Sequence, residues 1–109
     1  MNTQEKLVDK IFPETTKILS ELIKFQTVSG SSNLKLIDYC EKKLQSAGAK
    51  SFKVFDETKL RVNLFSTINN NSKSEKDGII LSGHTDVVPA SKKDWSSDPF
   101  VATKKNNKI

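Results

Sequence analysis

A single histidine stands in this chain of 109 residues, and an aspartate follows it two positions later. The pair lies in Leu81-Ser82-Gly83-His84-Thr85-Asp86-Val87-Val88-Pro89. In extended backbone, residues i and i+2 point to the same side, so His84 and Asp86 face one another's space. A carboxylate beside an imidazole accepts its N–H, fixes the tautomer and makes the other ring nitrogen a better metal ligand. Gly83 permits close approach of the backbone, and Pro89 ends the segment. Spacing alone leaves two readings open: a structural His–Asp pair, or a metal ligand with its orienting carboxylate. A catalytic zinc takes three protein ligands, so one histidine needs carboxylates or residues from elsewhere to complete a site.

Other chemistry-bearing residues are few. Cys40, the only cysteine, sits among Leu36, Ile37 and Leu44 and reads as a buried helical thiol. No internal disulfide can form, which favours a reducing, cytoplasmic address. Trp95, Asp98, Pro99 and Phe100 form a second cluster. There Trp95 and Phe100 read as packing anchors, and Asp98 before Pro99 suits a turn. The sequence contains no glycine-rich phosphate loop, no nucleophile elbow and no CxxC.

The elements that must position these residues follow from periodicity. A first helix is expected from about Pro13-Glu14, with Ile18, Leu19, Leu22 and Ile23 as its apolar stripe, stopping in Thr27-Val28-Ser29-Gly30. A second helix is expected from a Ser31 or Ser32 cap to about Ala47, with Ile37, Cys40 and Leu44 at three- and four-residue spacing and Gly48 as a left-handed cap. The period then changes to two. Phe52 and Val54 (with Asp56 as an extension), then Leu60, Val62 and Leu64, read as strands. A polar loop from Asn69 to Gly78 leads to Ile79-Ile80-Leu81, a run typical of a strand buried on both faces. His84 and Asp86 would then open at the carboxyl end of that strand, where α/β sheets place their sites. The order is that of an α/β fold.

Phe100-Val101-Ala102-Thr103 reads as a strand and Lys104-Lys105-Asn106-Asn107 as a hairpin turn, so Lys108-Ile109 would begin a return strand. Truncation is the simpler expectation for a chain ending there. The bulk numbers agree with an incomplete core: 35% hydrophobic residues and a mean hydropathy of −0.50. The net charge of +5 comes from lysines spread along the chain, adjacent only at Lys42–Lys43, Lys92–Lys93 and Lys104–Lys105. That is a solvated surface rather than a nucleic-acid interface. No apolar run approaches the roughly 20 residues a membrane helix needs, and the polar start has no secretory h-region.

The His84 block, followed by Asp94-Trp95-Ser96-Ser97-Asp98-Pro99-Phe100, resembles the N-terminal region of the M20 family of metallopeptidases and deacylases. Within it the likeness is closest to the acetylornithine deacetylase branch, through three more stretches: Leu22 to Ser29, Ser32 to Tyr39 and Asn63 to Ile68. The resemblance implies that residues 1–109 are the N-terminal portion of a mixed-sheet catalytic domain, with a dimerisation domain and the remainder absent. It implies a homodimeric parent that holds two divalent metals per subunit, Zn2+ or Co2+, and hydrolyses a small N-acyl amino acid. His84 matches the first metal-ligand histidine, and Asp86 the catalytic aspartate that orients it. The family's other ligands have no counterpart in this chain, which is therefore expected to be inactive alone. Sister activities (desuccinylase, carboxypeptidase, aminoacylase) and a non-catalytic binding module are the competing readings.

Overall fold

The computed structural model describes residues 2–69 and 78–109. Two helices come first, α1 (Thr3–Ile23) and α2 (Leu34–Ser46). Two strands follow, β1 (Lys50–Phe55) and β2 (Val62–Thr67), then a short 3-10 turn at Lys92–Asp94. This is an α/β arrangement, as the sequence order indicates. It divides into two compact units, one of residues 27–88 and one of residues 2–26 with 89–109.

In the unit of residues 27–88, β1 and β2 pair antiparallel from Lys50 opposite Thr67 to Phe55 opposite Val62. Alternation puts Ser51, Lys53, Leu64 and Ser66 on one face and Phe52, Val54 and Phe65 on the other. Helix α2 packs against this hairpin, and the buried core is small: Leu36, Ile37, Ala49 and Val62, with Thr27 as the buried polar residue. The expected strands are present. Asp56, however, does not extend β1 but organises the turn that joins the two. Its carboxylate accepts from Thr58 Oγ1, Arg61 N and Arg61 Nε, while Lys59 takes a φ of 57°. Desolvation pushes the Asp56 carboxyl up, but hydrogen bonds from Arg61 and Thr58 outweigh it and hold the group below its ordinary value. Lys53 reaches from β1 to two carboxylates of α2, 2.7 Å from both Asp38 and Glu41. Those bonds, Asp38's first, raise its pKa.

Helix α2 closes as expected. Gly48 has a φ of 89°, its N–H donates to the Gln45 carbonyl, and Ala49 N–H donates to the Leu44 carbonyl. These are the two bonds of a left-handed Schellman end. Its start differs from the expected serine cap. The helix begins at Leu34 with Asn33 in the cap position, and the Asn33 side chain makes no capping bond because it is engaged elsewhere.

The run Ile79-Ile80-Leu81 does not form the expected buried strand. These residues are 90%, 85% and 92% exposed and belong to no strand among the described residues. A strand covered on both faces needs layers above and below it, and the described residues supply none there. Most of the expected polar loop before it, residues 70–77, lies outside the described residues.

In the other unit, α1 begins ten residues earlier than expected. Asn2 Oδ1 accepts from Glu5 N–H at 2.8 Å, and Asn2 N–H donates to Glu5 Oε2 at 2.7 Å. This reciprocal capping box starts the helix, and Pro13 falls inside it rather than in its first turn. Proline removes one helical hydrogen bond, a cost the helix bears within its 21 residues. It ends at Ile23, before the Thr27–Gly30 segment. Phe100–Thr103 forms no strand. Asp98 Oδ1 accepts from Phe100 N–H at 3.0 Å and turns the chain, while its Oδ2 lies 2.6 Å from Lys92 Nζ. The hairpin turn after it is present: Lys105 bridges Lys108 antiparallel, with Asn106 and Asn107 at φ of 51° and 58°. Trp95 is 55% exposed and so does not act as a buried anchor, whereas Phe100 is half-buried. Among the described residues, no helix is long and apolar enough to cross a membrane.

Candidate metal-ligand pair

Residues 84–87 are placed by a segment far away in the sequence, Thr27–Ser29. Val28 bridges Val87 in parallel: Val87 N–H donates to the Thr27 carbonyl and Ser29 N–H to the Val87 carbonyl, both at 3.0 Å. The buried Thr27 hydroxyl donates to the Thr85 carbonyl. Extended backbone results, and it carries out the alternation expected from sequence. His84 Nδ1 lies 2.9 Å from Asp86 Oδ1.

Asp86 uses its second oxygen as well. Ser29 Oγ donates to Asp86 Oδ2 at 2.8 Å. The hydrogen bond from Ser29, and then that from His84, hold the Asp86 carboxyl below its ordinary value. The carboxylate form accepts at both oxygens, so the bond to His84 places a proton on Nδ1, and in the neutral ring Nε2 then carries the lone pair. His84 is 84% exposed at its side chain and Asp86 62%, so that lone pair faces open space.

Asn33 fastens this region to the hairpin. Its amide makes a two-way bond with the edge of β2, accepting from Val62 N–H and donating to the Val62 carbonyl, each at 2.9 Å. The same Nδ2 reaches Thr85 Oγ1 at 3.1 Å. One side chain thus stands in for a short strand, linking β2 to the histidine segment. A cleft of about 630 Å³ opens here, lined by His84, Asp86, Thr85, Asn33, Arg61 and Cys40 among others. The Cys40 thiol is pushed above its ordinary pKa by burial, which keeps it protonated and a poor nucleophile.

Sequence reasoning found the His84–Asp86 pair but missed Ser29, Thr27 and Asn33 as its supports. Their contacts span 29 to 58 residues, and no local pattern announces them. The donor chemistry of the pair suits one metal-ligand position: a free imidazole nitrogen with an oriented ring. It does not make a whole site. Among the described residues no group of three or more His, Cys, Asp or Glu side chains is placed to hold a metal ion.

The chain is 34% identical over 104 residues to an acetylornithine deacetylase of Buchnera aphidicola subsp. Schizaphis graminum, covering 89% of this chain and 26% of that protein. It is 30% identical over 104 residues to the acetylornithine deacetylase of Proteus mirabilis, with the same coverage of each. A succinyl-diaminopimelate desuccinylase of Rickettsia bellii is 36% identical over 97 residues, covering 86% of this chain and 24% of that protein. No family model and no solved structure matches the chain. The chain spans about a quarter of the length of these curated relatives.

Proposed function

We propose that this chain, a relative of the acetylornithine deacetylases and succinyl-diaminopimelate desuccinylases, is the N-terminal portion of an M20-type metal-dependent amidohydrolase. The reading is supported by relatedness along most of the chain, joined to a His84–Asp86 pair whose free nitrogen is Nε2. The preferred reaction is hydrolysis of N-acetylornithine to ornithine and acetate in the cytoplasm, a step of arginine biosynthesis.

In this reading His84 is one ligand to divalent metal, Zn2+ or Co2+, and the remaining ligands come from outside these 109 residues. Bound metal supplies carbonyl polarisation and water of lowered pKa. The part played by this chain is narrower. Asp86 holds the imidazole by Nδ1 and keeps Nε2 aimed outward, and the Thr27–Ser29 segment holds Asp86. With a single imidazole donor and no set of three among the described residues, the chain alone is inactive. Nucleic acid and membranes are not its partners; the whole enzyme acts on a small N-acyl amino acid and is a homodimer.

A desuccinylase is the second reading, favoured by the 36% identity to the Rickettsia bellii protein. One experiment addresses both. This chain replaces the matching stretch of the Proteus mirabilis deacetylase, and the chimera is assayed with Zn2+ or Co2+ on N-acetylornithine and on succinyl-diaminopimelate. Hydrolysis of the first that disappears in His84→Ala and falls about 10–100-fold in Asp86→Ala supports the proposal. A folded chimera inactive on both substrates, or one indifferent to His84→Ala, contradicts it. The substrate hydrolysed faster when this chain is present than in the parent points to its own branch.

A further inference from the structure

We propose that Ser29 is a positioning residue for the histidine: by occupying Asp86 Oδ2, it fixes the carboxylate rotamer that keeps His84 in its Nδ1–H form with Nε2 free. The consequence for metal binding rests on the reading of His84 as a ligand; the effect on the tautomer does not.

Three observations carry the inference. First, the two bonds to Asp86 divide its oxygens, Oδ2 to Ser29 at 2.8 Å and Oδ1 to His84 at 2.9 Å. A carboxylate is ionised at neutral pH and can only accept, so each bond obliges its partner to donate. Second, the Ser29 hydroxyl has one proton to give. Its other neighbour, the Val87 carbonyl, stands at 3.5 Å and already accepts from Ser29 N–H at 3.0 Å. The hydroxyl is therefore committed to Asp86. Third, Ser29 is not placed by chance. The parallel bridge of Val28 with Val87, flanked by the Thr27–Thr85 hydrogen bond, sets the backbone of residues 27–29 alongside residues 85–87.

Asp86 and His84 themselves are mostly exposed, so packing does not lock their rotamers. An exposed carboxylate held by one hydrogen bond can still turn between rotamers; held at both oxygens, its orientation is restricted. Burial thus contributes little to the geometry of this pair, and the Ser29 hydroxyl contributes much of it.

Because His84 is the only histidine, the side-chain nitrogens of the full chain labelled with 15N-histidine report one ring. The test is the Nδ1–H to Nε2–H ratio of the neutral ring, measured by NMR. The wild type is expected to be mainly Nδ1–H. In Ser29→Ala the ratio falls, by up to roughly fivefold if the released carboxylate gives up its bond to His84, an ordinary hydrogen bond. Ser29→Thr, which keeps the hydroxyl at an exposed position, restores it. The amide shifts of Lys53 and Val62 in the hairpin stay fixed in all three and report that the unit is folded. Should Ser29→Ala disturb those shifts, Ser29→Cys, nearly isosteric with a weak donor, makes the same comparison and is expected to lower the ratio.

An unchanged ratio in a folded Ser29→Ala or Ser29→Cys chain overturns the proposal, as does failure of Ser29→Thr to restore it. Asp86→Ala serves as the reference for complete loss of the preference. No metal enters this measurement, so a negative result in the chimera assay leaves it standing, and a negative result here leaves the ligand reading standing.

Discussion

Two neighbouring stretches of the chain behave in opposite ways. Ile79–Leu81 has the stronger apolar character, yet it is almost wholly exposed. Thr85–Val87, only a few residues on, is tied by hydrogen bonds to Thr27, Ser29 and Asn33. Among the described residues, the polar groups of Thr85–Val87 have partners and the apolar run is left uncovered. Hydrogen bonds are local and directional, so a few well-placed groups can position a segment even in a small unit. A strand buried on both faces needs layers of chain around it, and apolar sequence expresses only that requirement. The contrast is between a segment positioned by directed polar bonds and an apolar run that the described residues leave exposed.

Substitutions sharpen the contrast. The largest expected effect is at the small core under α2. Ile37, 4% exposed, should cost about 2–5 kcal/mol as Ile37→Ala. Ile80→Ser, at an 85% exposed position, should stay within about 0.5 kcal/mol. Urea unfolding monitored at the hairpin makes the comparison, and equal costs would break it. Next comes the Asn33 clamp. Asn33→Ala leaves the buried Val62 N–H and carbonyl without their side-chain partner, and should cost about 1–3 kcal/mol. Asn33→Asp keeps the acceptor for Val62 N–H but sets a carboxylate oxygen against the Val62 carbonyl, so it should not recover stability. A stable, unshifted Asn33→Asp chain would show that the donated bonds matter little.

Acid should expose the turn. The folded pKa of Asp56 lies below its unfolded value, so it contributes stability that is present above the ordinary carboxylate range, about 3.9. That contribution is lost as pH falls through the folded value. Asp56→Ala should therefore flatten the acid limb of stability against pH for the unit of residues 27–88. The smallest effect is expected from Lys53. Its folded pKa is raised, so its contribution is complete below about 10.4 and lost as pH rises through the folded value. Lys53→Met should lose only that alkaline step, seen as a stability profile that no longer bends at high pH.

The sequence was most legible where spacing has direct geometric meaning. His84 and Asp86 lie two apart in extended backbone and do meet. Gly48 caps α2 with a positive φ, and the two asparagines take the left-handed turn. The start of α1 was also written in the sequence, as Asn2 and Glu5 at capping-box spacing, but Pro13 drew the expected start ten residues too late. Other features were not legible. Nothing local pairs Ser29 with Asp86 across 57 residues, or turns the Asn33 side chain from its own helix to Val62. The strand expected at Ile79–Leu81 misled for a different reason: hydrophobic character does not say whether covering layers are present in these 109 residues.

The most direct test of the central claim, that His84 is a metal ligand oriented by Asp86, is a Zn2+ titration of the full chain labelled with 15N-histidine. Saturable, weak binding is expected, in which the Nε2 resonance moves, Nδ1 stays protonated, and Asp86→Ala abolishes the preference for Nε2. A titration that leaves the ring unmoved, or that shifts Nδ1 in place of Nε2, would contradict it.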